Sequence, residues 1–88
     1  MSVLYDEVYI STMREIKVCE STTKKLKKNL DEMERRYSMK TEEFLRRFGQ
    51  GSIESNKDFV FWHDAYESLL LEEKRMAEFK EILQYKNF

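Results

Sequence analysis

Three groups of residues in this 88-residue chain have the types and spacing for chemistry. The first is His63, Asp64 and Glu67. On a helix, His63 and Glu67 four apart put an imidazole and a carboxylate on one side, where they can share a cation. A zinc centre takes at least three protein ligands, and the chain has neither the H-E-x-x-H spacing nor a second histidine. General acid–base work by His63 would need a partner group that the sequence does not place. The polar face of an amphipathic helix explains these residues better. The second is Cys19, the one cysteine. A reactive thiolate takes an exposed site beside a cation, whereas Cys19 stands in register with apolar residues, as a small core side chain does. The third is the cluster Lys24, Lys25, Lys27 and Lys28, with Arg35, Arg36, Arg46 and Arg47, which has the charge to hold phosphates. Carboxylates are interleaved with it, and the next long helix opens S-N-K-D-F-V-F-W, acidic and aromatic where a recognition helix would show Arg, Asn or Gln. A solvated face is the better account. No catalytic, cofactor-binding or metal-ligating residue is assigned, and no enzyme is expected.

The elements that must position these residues are helical. Charged residues make up 38% of the chain and hydrophobic ones 41%, with no proline, a composition suited to long solvated helices. One small domain of this size supplies roughly 3–5 kcal/mol from its core unless something staples it. A single cysteine cannot form an internal disulfide, so the simplest staple is another chain. A net charge of −1 gives no general attraction to nucleic acid. No apolar run is long enough for a bilayer and no signal-peptide pattern occurs; a soluble cytoplasmic protein is expected, with no membrane partner.

Residues 1–11 read as an apolar N-terminal arm, extended or frayed helix. Val3, Tyr5, Val8, Tyr9 and Ile10 favour strand, while Leu4 and Val8 are four apart, so the first turns of the next helix are an equal alternative. Thr12 to Glu15 matches a capping box, and the first long helix is expected over 12–37, about 39 Å long. Its seam is Ile16, Cys19, Thr23, Leu26, Leu30, Met33 and Tyr37, stepping by three and four. Asp31 with Arg35, and Glu32 with Arg36, are spaced for i,i+4 ion pairs. A short helix is expected over 41–48, with Thr41 as cap, Glu42 and Glu43 in its first turn, and Gly49 ending it in a left-handed conformation. A third helix is expected over 56–84, capped by Ser55 or Asn56. Its seam carries Phe59, Trp62, Tyr66, Leu69, Met76 and Leu83, widened by Ala65, Phe79 and Ile82, with Glu73 and Lys80 as polar interruptions. The fold expected is all-α: an antiparallel hairpin of two long helices, closed by Phe59, Trp62 and Tyr66 on Tyr37, Phe44 and Phe48.

Two such helices bury little, so their outer faces need cover. Phe61, Leu70 and Leu71 on the third helix, and Val3, Tyr5 and Tyr9 in the arm, are the candidate partner-binding residues. A homodimer is expected on the same ground.

Residues 32–76 also carry a set of motifs. Glu34-Arg35-Arg36-Tyr37-Ser38-Met39 is followed by Thr41-Glu42-Glu43-Phe44, then Gly51, then Asp58-Phe59 and Trp62. In this order and spacing the chain resembles a group of short, largely uncharacterised bacterial and archaeal proteins. Their pattern is E-[KR]-[KR]-Y-G-M, S-x-E-E-F, a glycine turn and D-F-x-x-W. Ser38 stands where that pattern has glycine, and Lys40 where it has a capping hydroxyl, which shifts the expected cap to Thr41. Genes of this group commonly sit beside one for a small second protein, and many members are regarded as antitoxin-like. The resemblance implies a helical hairpin and a protein-binding role, and supplies no catalytic residues. The expected function is a small protein-binding module, the antitoxin of a toxin–antitoxin pair. A structural coiled-coil homo-oligomer or adaptor is the alternative, ahead of a nucleic-acid-binding regulator.

Overall fold

The computed structural model describes residues 3–51, 53 and 56–86, with side chains at 7–51, 53 and 56–84. Three helices follow in order: α1, Val3–Tyr37; α2, Thr41–Gly49; α3, Lys57–Lys86. No strand occurs among the described residues. The long helices α1 and α3 pack along each other and α2 sits at the corner between them, so the all-α hairpin expected from the sequence is the fold.

The N-terminal arm is not a separate element. Helix runs unbroken from Val3, through residues whose β propensity is a weak prior against adding turns to an existing helix. The Thr12–Glu15 box therefore lies inside α1 and caps nothing; Thr12 is instead buried on the seam. The α1 seam is otherwise as the spacing predicts: Ile16, Cys19, Thr23, Leu30 and Met33 are buried, and Leu26 and Tyr37 half-buried. Neither expected ion pair, Asp31–Arg35 or Glu32–Arg36, forms. Arg36 reaches across the corner to Asp58 on α3, at 3.1 Å.

α1 ends in a Schellman turn. Ser38 takes the left-handed conformation, φ 50°, and the Met39 amide donates back to the Glu34 carbonyl at 3.2 Å. Met39 then packs on the core. Gly49 closes α2 from within the helix; the left-handed residue is Gly51, φ 70°, two positions later. Asn56 caps α3, its Oδ1 accepting the Phe59 amide at 2.9 Å. Ser55, the other expected cap, lies outside the described residues.

The α3 seam holds the apolar residues expected of it except Ile82, with Phe59 and Tyr66 half-buried against the core. Trp62, Ala65 and Leu69 are buried, and Glu72, Met76, Phe79 and Leu83 are half-buried, again in steps of three and four. Glu73 and Lys80 point to solvent, and Glu72 is the polar residue in the seam. Ile82, expected to widen the stripe, is exposed.

The core gathers at the corner. Leu30, Met33, Phe44, Trp62, Ala65 and Leu69 form one cluster, flanked by Tyr37, Met39, Phe48 and Phe59. Away from it the molecule is two helices thick. Its extents are 57 × 21 × 17 Å and its radius of gyration is 17.5 Å, against about 12 Å for a compact domain of this length.

Candidate protein-binding surface

The corner is built around Trp62. Its ring is fully buried and stacks on Phe44, 4.0 Å between centroids and 1° between planes. Tyr37 and Phe59 complete the aromatic group, 5.0 Å apart. Burying an indole ring removes about 150–250 Å² from water, on the order of 5 kcal/mol before entropy is charged against it. The Trp62 Nε1 donates to Thr41 Oγ1 at 3.1 Å. Thr41 in turn donates through Oγ1 and its backbone N–H to Glu34 Oε2, at 2.8 and 2.9 Å.

This chain of hydrogen bonds changes the capping expected for α2. Thr41 is a helical residue, not the cap. The N-cap position is Lys40, whose side chain makes no capping bond, and the Glu34 carboxylate of α1 satisfies the free N–H instead. A negative charge there also complements the helix dipole. Burial pushes the Glu34 carboxyl up, but the two bonds from Thr41 and the Lys40 charge outweigh it and hold it below its ordinary value. A second lock joins α1 to α3. Asp58 accepts hydrogen bonds from Tyr37 and Arg36, in that order of effect, which hold its carboxyl low. On α2, Arg46 and Arg47 both bond Glu43 and lower it to about 2. Three acidic residues of the corner are thus committed to structure.

His63 lies against Phe48, with ring centroids 5.3 Å apart, and its nitrogens are 3.5 Å from Glu67 and 3.9 Å from Asp64. Among the described residues no group of three or more metal-ligating side chains converges anywhere. Cys19 is 1% exposed. Burial, then its hydrogen bond to the Glu72 carboxylate, raises the thiol above its ordinary value, which is the reverse of activation. Lys24, Lys25, Lys27 and Lys28 are all exposed, with no ion pair to a described residue. A shallow groove of about 390 Å³ lies outside the corner, lined by residues that include Asp31, Glu34, Arg35 and Lys40. Its mixed charges offer no convergent set for one ligand.

What the structure does leave open is apolar. Among the described residues eight hydrophobic side chains are buried and eight large ones are exposed, among them Phe61 at 44%, Leu70 at 45% and Leu71 at 57%. Val60 and Leu71 lie on the back of α3, away from the seam, with Phe61 and Leu70 on its two opposite flanks, as a 100° step per residue dictates. On α1, Tyr9 is 43% exposed, and with Ile10 and Met13 it lines a second shallow groove. Val3 and Tyr5 fall in the first turn of α1, and their side chains lie outside the described residues.

No protein-family model, curated protein or solved structure matches this chain. Its function is therefore argued from its own surface. Val18 and Val60 are exposed apolar residues that the sequence reading does not single out. The seam frame would have found them, because each falls outside the buried steps of its helix. Among the described residues no helix is long and apolar enough to cross a membrane.

Proposed function

We propose that this chain is a small, non-enzymatic, cytoplasmic protein-binding module whose outer helical faces are covered by another protein. The observation that supports this most is the split of its apolar residues. Among the described residues eight large hydrophobic side chains face outward and eight hydrophobic ones, the small Cys19 and Ala65 included, are buried, on a rod too thin to shelter the rest. Scattered exposed apolar residues are ordinary; here they recur on both long helices, in the first half of α1 and along α3.

The partner binds through Phe61, Leu70 and Leu71, with Tyr9 and the preceding turns of α1 extending the contact. The resemblance of residues 32–76 to antitoxin-like proteins supports a neutralising role, in which these faces block the working surface of a small toxin. The test is co-expression with the product of the adjacent gene. The antitoxin reading expects that product to arrest growth alone, to be tolerated with this chain and to co-purify with it. No arrest, or arrest without rescue, removes that reading. A structural homo-oligomer is the second reading, since the outer apolar residues of one copy can cover those of another.

A further inference from the structure

The cations of α1 are interleaved with carboxylates in sequence, but the helix sorts them. Ile16, Cys19, Thr23 and Leu26 mark the side that faces α3. A step of 100° per residue puts Arg14, Lys17, Lys24, Lys25 and Lys28 within about 60° of the line opposite that seam. All five are exposed, and none pairs with a described residue. Ser21 is the uncharged residue among them. Glu15 and Glu20 fall on the two flanks instead, so the band has no carboxylate between its ends. Residues 14–28 hold six cations and two carboxylates, a net charge of +4 within a chain of net −1. The band points away from α3, and Phe61, Leu70 and Leu71 are on that other helix. The protein-binding reading therefore makes no use of it.

We infer that this band is a contact for the phosphate backbone of a nucleic-acid duplex. From Arg14 to Lys28 the helix rises about 21 Å. Five cations over that length give roughly one per 4 Å, the same order as one phosphate per about 3.4 Å along a strand. The form of the band separates this partner from three others. A bilayer surface is a plane and holds an amphipathic helix by its apolar side, whereas the band is one helix wide and contains no apolar residue. A protein interface has an apolar centre depleted in lysine; here lysines are the centre. A single strand is held by aromatic side chains that stack its bases, and the band has none. The back of α1 stands clear of α3, and a single helix fits the major groove, about 12 Å wide. Lysine ammonium groups are point charges without the fork that reads a base edge, so the contact is to phosphates and independent of sequence.

The test is fluorescence anisotropy of a labelled DNA duplex of about 20 base pairs, titrated with the full chain across a salt series. Three to five phosphate contacts give a slope of log affinity on log salt between about −2.7 and −4.5, a loss of roughly 40- to 500-fold from 50 to 200 mM. Lys24→Gln with Lys28→Gln should make the slope shallower by about 2 and weaken binding about tenfold or more at 50 mM salt. Lys17→Gln with Lys25→Gln should act alike, which guards against one pair misfolding, and circular dichroism checks that both stay helical. Lys74→Gln with Lys80→Gln removes the same net charge from α3 and should leave affinity within about threefold of the wild type, since charges beyond a screening length contribute little. A wild type that does not bind the duplex at about 50 mM salt, or equal losses from the α1 and α3 pairs, overturns the inference. Binding to phosphatidylserine-containing vesicles without binding to the duplex overturns it as well. The protein-binding reading, tested with the adjacent gene product, stands or falls separately.

Discussion

Glu34 is a surface-type residue placed where a helix needs an acceptor. Its carboxylate closes the N-terminus of α2 from a different helix, and through Thr41 it reaches the Trp62 indole. Glu34→Ala removes the acceptor for two donors, one of them a backbone N–H at a helix start. Hydrogen bonds to charged groups contribute about 1.5–3 kcal/mol, so thermal melts should show a loss of that order, with Glu34→Gln falling between. The pH dependence has the same origin. Glu34, Glu43 and Asp58 all have folded values below their ordinary ones. A depressed carboxylate contributes stability that is present above its unfolded value and is lost as pH falls through its folded value. Melting temperature should therefore hold from neutral pH to about pH 5 and fall below about pH 4.5. Glu34→Gln should flatten part of that fall. Thr23 is the opposite case. Its Oγ1 is buried in the seam with no hydrogen-bond partner, so Thr23→Val, which keeps the shape and removes the hydroxyl, should raise stability by about 1 kcal/mol.

At the scale of elements, the turn after α1 carries a strain that one substitution can relieve. Ser38 holds a left-handed conformation at the C′ position of a Schellman turn, where glycine fits at little cost. Ser38→Gly should stabilise the protein by about 0.5–1 kcal/mol despite the added freedom of the unfolded chain, measured by denaturant midpoint. Much of this level was legible in the residues. The α1 seam, the aromatic closure of the corner and the break at Ser38 all follow from spacing and residue type. On α3 the place of Glu72, half-buried in the seam, was harder to see, because a charged residue is a poor signal of burial. The start of α1 was masked by residues that favour strand until a helix is already running. The cap of α2 was invisible to local patterns, because its acceptor lies seven residues back on another helix.

At the scale of the molecule, the shape is the physical argument. One end has a six-residue core around Trp62, and the other is two helices deep. Such a rod has little interior per unit of surface, so covering its outer faces adds apolar burial that folding alone does not supply. The candidate contact residues Phe61, Leu70 and Leu71 are legible in the sequence as apolar positions off the seam, and all three are exposed. Since they touch the core little, removing them should leave the hairpin intact. The direct measurement is therefore a triple variant, Phe61→Ala, Leu70→Ala and Leu71→Ala, compared with the wild type by titration calorimetry against the adjacent gene product and by sedimentation for self-association. The expected result is unchanged helicity, a melting temperature within a few degrees of the wild type, and loss of complex by more than about tenfold, since truncated contact residues commonly cost over 1 kcal/mol each. Full binding by the triple variant, or a wild-type chain that stays a lone monomer and takes no partner, would contradict it.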